Sequence, residues 1–424
     1  MAPPGDGAHI AQRPAPDRLV SSSLAAARSA PAAPPSRSAG AQIAPVRTPA
    51  DRRAFIELPF RLNRGEAHWV PPLRAEVAAL IDPKKHPFHA HAEVELFLAR
   101  DPRGQAVGRV AAIRNRLHEE THGEAVGFFG LFETENSPAV AAALLDAAAG
   151  WLRARGLRTV RGPANLSSNE DWGLLVEGYD RDPAVMMPYN PPYYAALLEG
   201  AGFRKAKDVL AYELSVNSYG LPPDATQAEM EARIPERLRG FERLARERFG
   251  VTIRPFDKND FDGEIQRIRD LYNGAWEANW GFVPFTAHEF DHLAKQLKPV
   301  ADFDLIAFAE VKGETAGFAI ALPDLNQALK HMGGSLFPFG WAKGLWYGRK
   351  ISALRVLTLG VLPQYRRTGA AELLYLYLFR TGIRKRITSG EFSWILEDNL
   401  AMRTPMEKLG ATVTKRYRLY DREL

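Results

Sequence analysis

The chain has 424 residues, 46% of them hydrophobic and 25% charged, a length that corresponds to about two or three domains with cores of their own. It contains no cysteine, which excludes disulfide bonds, thiolate metal sites, iron–sulfur clusters and cysteine nucleophiles. The formal net charge is +5, but residues 1–50 alone carry five arginines against two aspartates. The rest of the chain is nearly balanced, so bulk charge gives no support to nucleic-acid binding and we predict no nucleic-acid partner.

Residues 1–48 are predicted to be a disordered tail. Residues 1–50 hold 14 alanines and nine prolines, and such a composition cannot bury enough apolar surface to offset its chain entropy. The tail has no charged start followed by an apolar run, so it is not a secretory signal, and an organellar transit peptide is the less favoured alternative. No stretch of about 18 apolar residues predicts a membrane-spanning helix. We predict a cytoplasmic protein, with peripheral contact at the inner face of the membrane left open.

After the tail, short strands alternate with helices in a pattern that occurs twice, which predicts an α/β fold with a mixed sheet. Glu199–Phe203 corresponds to Glu407–Ala411 at an offset of 208 residues. The predicted elements of the first copy are 125–132, 139–155, 159–162, 192–200 and 204–213. Those of the second copy are 355–362, 369–386, 391–396, 401–409 and 412–421. We therefore predict a first domain at 49–220 (the first copy), a charged helical linker at 221–250, and a second domain at 251–424 (the second copy).

The most informative segment is the predicted strand, turn and helix at 359–371. An apolar strand ends here and a basic turn opens a helix at Gly369. Gly369 and Ala371 are small where a ligand has to approach the backbone, and the free N–H groups and positive end of the helix suit a pyrophosphate. Arg366 and Arg367 add positive charge without blocking those amides. The alternative is an ordinary strand–helix turn with solvated arginines.

This segment resembles the acyl-CoA signature of the GCN5-related N-acetyltransferase (GNAT) superfamily, a strand with Val-x-Pro-x-Tyr-Arg-x-x-Gly-x-Gly/Ala and then a helix. Every position of that signature matches. The resemblance implies acyl-CoA as co-substrate, with an acyl carrier protein as the alternative donor, and no metal. It implies that donor contacts come from Leu359, Val361, Arg366, Arg367, Thr368, Gly369, Ala370, Ala371 and Asn399.

The resemblance also implies a fork between the two central strands of the second copy. Backbone groups in this fork would hold the pantetheine arm and polarise the thioester carbonyl, where negative charge develops during the reaction. A neutral amine would then attack the thioester directly, without a covalent enzyme intermediate. A chain without cysteine suits this mechanism.

The acid and base of the superfamily do not carry over directly. The superfamily often has a Tyr general acid in the closing helix, at the position that Met406 occupies here. For the base we predict Glu397 or Asp398, which would deprotonate the incoming ammonium directly or through water. The alternative is that both residues cap a helix or are solvated in a turn.

The first copy departs much further from the signature. Where the pyrophosphate turn should lie, the sequence is Phe132-Glu133-Thr134-Glu135-Asn136-Ser137-Pro138. Two carboxylates and no glycine would repel a pyrophosphate and obstruct its approach to the backbone. We predict that the first copy is degenerate: it keeps the fold, lacks the donor site and helps to shape the acceptor pocket.

The second copy carries an extra segment at 323–352 that is rich in aromatic residues, glycines and cations. An acetyl group needs no such enclosure, so the segment suits a long acyl chain or a membrane surface that supplies one. The alternative is a packed insertion that covers the sheet. A second aromatic segment at 276–285 belongs to the acceptor side in the GNAT fold. The predicted substrate residues are Trp276, Asn279, Trp280, Phe337, Trp341 and Trp346.

Longer strings at 55–62, 68–74, 92–99, 186–194 and 393–399 resemble one tandem-domain bacterial branch of the superfamily. That branch is similar to bacterial ceramide-synthase-type N-acyltransferases, which acylate a long-chain sphingoid amine. The resemblance predicts an N-acyltransferase that moves a long-chain fatty acyl group to a lipid amine such as a sphingoid base. The alternatives are an acetyl-CoA-dependent N-acetyltransferase of a small molecule, a peptidoglycan-type aminoacyl transferase, and a non-catalytic acyl-CoA sensor.

Histidine patterns give no metal site. His288 and His292 match the zinc-protease pattern His-Glu-x-x-His. However, Thr286-x-x-Glu289 is also a capping box, and no third ligand stands at a suitable spacing. The histidines within 86–91 surround a Pro-rich turn and are expected to be ordinary loop residues. We predict no metal.

Overall fold

The computed structural model describes residues 40–222, 224–234, 236–276 and 279–424. The predicted disordered tail lies outside the described residues up to residue 39. Its last part differs from the prediction, because Gln42–Pro45 forms a strand that pairs antiparallel with the first copy. Ile43 packs against the apolar core of that copy, which fixes the strand in place. Thr48 then caps the next helix by accepting the N–H of Asp51. Among the described residues, regular secondary structure therefore begins at Gln42.

The described residues form 15 strands and 13 α-helices. The strands are β1 Gln42–Pro45, β2 Ala92–Arg100, β3 Ala106–Asn115, β4 Val126–Thr134, β5 Thr159–Gly162, β6 Ala164–Asn165, β7 Asp171–Trp172, β8 Leu174–Glu177, β9 Arg204–Ser215, β10 Val251–Pro255, β11 Ile306–Val311, β12 Glu314–Pro323, β13 Ala353–Val361, β14 Ser389–Leu396 and β15 Thr412–Glu423. The helices are α1 Pro49–Leu62, α2 Arg74–Leu80, α3 Arg116–His122, α4 Pro138–Arg153, α5 Tyr193–Gly200, α6 Gln227–Ala232, α7 Glu236–Phe249, α8 Phe261–Trp276, α9 Ala287–Leu297, α10 Asn326–Leu329, α11 Gly340–Gly348, α12 Ala370–Arg384 and α13 Leu400–Lys408.

Thirteen of these strands form one mixed sheet that runs through both copies, which confirms the predicted α/β class. Its order is β1-β2-β3-β4-β5-β15-β9-β14-β13-β12-β11-β10, with β8 beside β15. The two copies exchange their last strands: β9 of the first copy pairs with β14 of the second, and β15 of the second pairs with β5 of the first. β9 and β15 also pair with each other at the centre. Each copy therefore completes the sheet of the other.

One long helix of each copy follows a central strand and packs on the sheet. In α4 and α12 the apolar residues recur at helical spacing and bury a single face, as in an amphipathic helix that covers a core. The residues of α12 buried in this way are Leu373, Leu374, Leu376 and Leu378. On the other face of the sheet of the second copy, Ile268 and Leu271 of α8 pack in a separate apolar cluster with Phe308 and Phe318. The second copy thus has helices on both faces.

The linker contains two helices, α6 and α7, where the sequence predicted one charged connecting helix. The predicted i,i+4 pairing is present, since Arg246 and Glu242 lie 3.2 Å apart. Arg380 of α12 also pairs with Glu231 at 2.9 Å and with Glu242 at 3.0 Å. Ala245 of α7 is buried against the core of the second copy. The linker is therefore fastened along α12 and reaches the turn that precedes that helix.

Candidate active site

The two central parallel strands of the second copy separate part-way along their length. β13 and β14 pair from Ala353 opposite Ser389 to Val356 opposite Phe392. Beyond this point β14 keeps only its pairing with β9. β13 continues beside β12 after an extra residue, Leu357, in the β12–β13 register. The second copy therefore contains the fork that the resemblance implies.

Leu359 and Val361 present backbone groups to this fork. The N–H of Leu362 donates to the carbonyl of Ala316 at 2.9 Å, which fixes the hydrogen-bonding phase between β13 and β12. Because the hydrogen-bonding residues alternate along an antiparallel strand, the N–H and C=O groups of Leu359 and Val361 point away from β12. On that side Arg366 Nε donates to the carbonyl of Val361 at 3.4 Å. The fork is thus lined by backbone donors and acceptors.

The turn after β13 leads into an open N-terminus of α12. Gly369 is the N-cap residue, with a φ of 84° that favours glycine, and no side chain caps the helix. The first hydrogen bond into the helix runs from the N–H of Leu373 to the carbonyl of Gly369, so the N–H groups of Ala370 and Ala371 have no intrahelical acceptor. A Cβ atom on Gly369 would lie 2.8 Å from Cβ of Ala245. Conformation and space therefore both require glycine here.

The side chains of the turn frame this N-terminus without covering it. Arg366 and Arg367 are exposed. The hydroxyl of Thr368 donates to the carbonyl of Tyr365 at 2.7 Å, which closes the turn on itself. The positive end of the helix and the two guanidinium groups together make a site for an anion.

The corresponding turn of the first copy is closed. The hydroxyl of Ser137 accepts the N–H of Val140 at 3.5 Å and so occupies the N-terminus of α4. The carboxyl group of Glu133 is buried and accepts a hydrogen bond from Tyr194 Oη at 2.7 Å. Burial raises the pKa of Glu133, although the positive charge of Arg109 opposes the shift. Side chains of this turn thus fill the space that an anion occupies in an open one.

Glu397 and Asp398, the predicted bases, form ion pairs with β9. Glu397 Oε2 lies 2.7 Å from Lys205 Nζ, and its Oε1 accepts the N–H of Asp208 at 3.0 Å. Partial burial raises the pKa of Glu397, but these contacts outweigh burial and hold the pKa below its usual range. Asp398 lies 2.8 Å from Lys207, and that hydrogen bond lowers its pKa. Both carboxylates therefore tie the end of β14 to the first copy.

Asn399 is the N-cap residue of α13, and its Oδ1 accepts the N–H of Met402 at 3.2 Å. The amide N–H groups of its side chain take no part in this contact. Met406, at the position of the Tyr general acid in the superfamily, is buried in the core under α13. The structure therefore places Asn399 at the end of the fork strand and removes Met406 from any reacting atom.

An apolar cavity of about 220 Å³ adjoins the fork on the face of the sheet opposite α12. Its walls come from α8, α9, β12 and β13 of the second copy, and residues 168–169 and 186 of the first copy complete it. The cavity begins at Leu357 and Trp394 and ends at Phe256 beside β10. Three strand spacings separate β13 from β10, so the cavity is about 14 Å long. The apolar side chains along this length include Ile265, Ile268, Phe285, Phe290, Leu293 and Ile320.

Polar groups gather where this cavity meets the fork. The guanidinium of Arg355 is buried and donates to the carbonyls of residues 185 and 186 at 2.9 Å and to Ser393 Oγ at 3.0 Å. Trp394 Nε1 and Ser168 Oγ are buried without a hydrogen-bond partner among the described residues. Both atoms are therefore open to a polar group of a ligand or to a water molecule.

Asp171 is a half-buried carboxyl group of the first copy whose charge interacts with that of Arg355. It follows Asn169, which lines the cavity, and lies on β7. Burial and the negative charge of Glu170 raise the pKa of Asp171 to about 6, while the positive charge of Arg355 opposes the shift. A carboxyl group with such a pKa can accept and release a proton near neutral pH.

A smaller apolar cavity of about 90 Å³ lies below the fork on the face covered by α12. Val356 and Phe392, the last paired residues before the fork, line this cavity, as does Gly382 of α12. Leu357 and Trp394, just beyond the fork, line the larger one. The two cavities therefore approach the fork from opposite faces of the sheet.

The chain is 38% identical over 396 residues to a protein of Caulobacter vibrioides (strain NA1000 / CB15N) named bacterial ceramide synthase, and the match covers 92% of this chain and 99% of that protein. The chain belongs to the bacterial ceramide synthase family. Protein YghO of Escherichia coli (strain K12) is 36% identical over 381 residues, covering 88% of this chain and 93% of that protein. No family model matches the chain.

A solved structure of a tandem GNAT protein from the clavulanic acid biosynthesis pathway superposes with a TM-score of 0.52 at 12% identity, over 90% of this chain and 98% of that one. The predicted tandem GNAT fold is thus confirmed. As a member of the bacterial ceramide synthase family, the chain is an N-acyltransferase.

Among the predicted substrate residues whose side chains the structure describes, none lines either cavity. Phe337, Trp341 and Trp346 are 78%, 53% and 59% exposed on the surface. Trp280 packs against Trp172 of the first copy, with ring centres 6.1 Å apart, at the junction of the copies. Asn279 contributes a backbone carbonyl that accepts the N–H of Phe282. Helix α8 ends at Trp276, whose side chain lies outside the described residues.

The larger cavity is lined instead by residues that the sequence patterns did not single out. Phe261, Ile265, Ile268 and Tyr272 recur at helical spacing along α8 and all face it. That spacing was a readable signal, but it is shared by any helix that packs on a core. Asn169 of the first copy also lies on the cavity wall, and the first copy was predicted to help to shape the acceptor pocket.

The histidine pattern of α9 is explained by helix capping. Thr286 Oγ1 accepts the N–H of Glu289, and the carboxylate of Glu289 accepts the N–H of Thr286, so the predicted capping box is confirmed. His292 faces His86 of the first copy, with ring centres 5.1 Å apart. Within the described ranges, no three His, Asp or Glu side chains are grouped so that they could hold a metal ion. In the same part of the chain, no helix is long and apolar enough to cross a membrane.

Proposed function

We propose that the protein transfers a long-chain acyl group from acyl-CoA to the amino group of a long-chain lipid amine. The observation that carries this proposal is the apolar cavity that meets the fork beside an open helix N-terminus. The helix end and its arginines suit the pyrophosphate of a CoA thioester, and the cavity suits an alkyl chain. A small polar amine would leave the aromatic walls without an apolar partner and so gain little from them.

Acyl-CoA would bind along the turn and the fork. The amides of Ala370 and Ala371, with Arg366 and Arg367, would hold the pyrophosphate, and the pantetheine arm would run along β13 into the fork. Thr368 and Gly369 keep the turn in the required shape, and Asn399 would meet the arm at the end of β14. An acyl carrier protein offers one phosphate instead of a pyrophosphate, so the paired arginines favour CoA as the donor.

In the proposed reaction the neutral amine attacks the thioester carbonyl carbon. A carbon–nitrogen bond forms, the carbon–sulfur bond breaks, and the sulfur leaves as the thiolate of CoA. An N–H of Leu359 or Val361 would donate to the oxyanion of the tetrahedral intermediate, where such a donor contributes most. An ammonium substrate gives up two protons in all: the leaving thiolate takes one, and a base passes the other to solvent.

We propose Asp171 as the base in preference to Glu397 and Asp398. Its pKa of about 6 lets it accept a proton at neutral pH, and it lies two residues after Asn169, which lines the cavity. Glu397 and Asp398 have lowered pKa values and are already paired with lysines, which makes each a weaker proton acceptor. They remain candidates if the substrate displaces Lys205 or Lys207.

Three features support a sphingoid base as the amine. The unpaired Ser168 Oγ and Trp394 Nε1 would be satisfied by hydroxyl groups close to the amino group. The larger cavity, of about 220 Å³, would take part of one alkyl chain, and the smaller cavity on the opposite face, of about 90 Å³, would take only a few methylenes of the acyl chain. The Caulobacter relative is named a bacterial ceramide synthase, which agrees with an amide of two chains.

The test is an assay of the purified full chain with palmitoyl-CoA or acetyl-CoA, and with sphinganine or a small polar amine, read out by release of free CoA and by mass of the product. We expect the highest kcat/KM for palmitoyl-CoA with sphinganine, and much lower values for acetyl-CoA or a small polar amine. Turnover confined to acetyl-CoA would identify an acetyltransferase instead. Binding of CoA without turnover of any amine would identify a sensor.

A further inference from the structure

A patch of exposed apolar side chains covers the short segment 336–346. Its members are 44–78% exposed, and they make up six of the ten exposed large apolar side chains among the described residues. The six are Leu336, Phe337, Phe339, Trp341, Leu345 and Trp346. Such a concentration on one segment marks an interaction site, since single exposed apolar residues are ordinary but contiguous ones are not.

The backbone beneath this patch is anchored, so the side chains are held outward. Arg74 of the first copy donates through its backbone N–H and Nη1 to the carbonyl of Gly334, at 3.2 Å in each case. Gly334 is buried against Phe60, where a Cβ atom would lie 2.4 Å from the ring. The N–H of Trp341 donates to the carbonyl of Leu336 at 2.9 Å. The segment is thus fixed on its inner side and apolar on its outer side.

The charged side chains of the segment itself have one sign. Residues 333–350 contain no Asp or Glu, and Lys343, Arg349 and Lys350 are exposed beside the apolar side chains. Lys350 Nζ lies 5.0 Å from the ring centre of Trp346, so cation and aromatic ring share one surface. Two copies of this chain that met through the patch would bring like charges together, and the cores of protein interfaces exclude lysine. Aromatic residues among cations fit the interface of an anionic bilayer.

The patch is also connected to the larger cavity. Asn326, which starts α10 in the same insertion, donates through Nδ2 to the carbonyls of residues 183 and 184 at 2.9 Å. The next two carbonyls of that loop accept from Arg355, which lines the cavity together with Met186. A bilayer bound at the patch would therefore lie on the insertion that supports the cavity wall.

We propose that residues 336–350 are a membrane-docking surface that binds anionic lipid bilayers and brings the enzyme to its lipid substrate. The need for lipid substrate rests on the proposed function, but the docking surface itself does not. Insertion of Trp and Phe side chains at the headgroup level would hold the protein, and the three cations would favour anionic lipids by about tenfold or more.

The test is co-sedimentation of the full chain with vesicles of phosphatidylethanolamine and phosphatidylglycerol at 3:1, compared with vesicles of phosphatidylcholine alone. We expect binding to the anionic vesicles that weakens at high salt, and a loss of at least about tenfold in the variant Phe337→Ser/Trp341→Ser/Trp346→Ser. The variant Lys343→Gln/Arg349→Gln/Lys350→Gln should lose the preference for anionic vesicles. A matched control, Leu244→Ser/Val413→Ser, removes exposed apolar side chains elsewhere and should bind like the unaltered chain.

Catalysis separates this proposal from the proposed function. With a soluble short-chain amine and no vesicles, the serine triple variant should keep the rate of the unaltered chain. Equal vesicle binding by the triple variant, or no binding by the unaltered chain, would overturn the docking surface even if the enzyme acylates lipid amines. A dimer in solution that the triple variant converts to a monomer would overturn it in favour of a second copy.

Discussion

Replacing Ala294 by Phe should shorten the amine chain that the enzyme accepts. Ala294 lies on α9 and lines the larger cavity, so a phenyl ring there would enter the space assigned to the alkyl chain. If the ring takes the room of about four methylenes, the loss is about 3 kcal/mol at ~0.8 kcal/mol per buried methylene. That corresponds to a decrease of roughly 100- to 200-fold in kcat/KM for a long-chain amine. Short amines that end before Ala294 should lose little.

The assay is a series of 2-amino alcohols of increasing chain length with one fixed acyl-CoA, measured as kcat/KM by release of free CoA. Ala287→Phe is the matched control, because Ala287 is exposed at the start of the same helix and outside the cavity. Unfolding midpoints of both variants show whether the helix is intact. An equal loss at every chain length, with Ala294→Phe as stable as the control, would refute the assignment of the cavity to the amine chain.

Four further predictions follow from the same geometry. The kcat/KM of the unaltered enzyme should fall about tenfold per pH unit below pH 6, because Asp171 must be unprotonated to accept a proton. The variant Asp171→Asn should lack this inflection. An Asn variant with an unchanged pH profile would exclude Asp171 as the base. Gly369→Val should abolish CoA binding as measured by calorimetry. The positive φ of Gly369 disfavours a side chain, and an added Cβ atom would lie 2.8 Å from Cβ of Ala245. Unchanged binding would place the pyrophosphate elsewhere. Lys415→Met should lower the free energy of unfolding by about 3–5 kcal/mol in urea titrations. The ammonium of Lys415 lies 2.8 Å from the buried carboxylate of Glu391, which would lose this ion pair in the variant. A change below about 1 kcal/mol would show that water reaches the site. Gly382→Val should shift the preference for acyl-CoA, and not for amine, toward shorter chains, and an unchanged acyl profile would remove the smaller cavity from the site.

The donor side of the site was the part most open to prediction from sequence. Its residues are contiguous from Leu359 to Ala371, and its chemistry uses backbone groups whose positions follow from a strand, a glycine turn and a helix. The capping box of α9 was predictable for the same reason, because four consecutive residues determine it. Local rules suffice where all the interacting groups are neighbours in the chain.

The acceptor side could not be predicted in this way, because it is assembled from distant segments. The strand exchange of β9 and β15 depends on pairings between residues about 200 positions apart, such as Asp208 opposite Arg418. The sequence pattern made both strands visible but gave no indication of their neighbours. Aromatic residues drew attention to Phe337 and Trp341, which lie on the surface, while the cavity is lined by ordinary apolar residues of α8 and α9. Residue type alone does not distinguish a side chain that lines a cavity from one that is exposed on the surface.

The strand exchange explains why a copy with a closed anion turn still matters to the site. The first copy supplies β9, and with it Lys205 and Lys207, which hold the end of the fork strand β14 through Glu397 and Asp398. It also supplies the polar segment around Asn169 at the cavity. In turn, β15 of the second copy completes the sheet of the first by pairing with β5. A chain cut between the copies would leave each sheet short of its exchanged strand and the cavity without the wall from the first copy. The proposed donor site lies in the second copy alone, while the cavity and the shape of the fork require both copies.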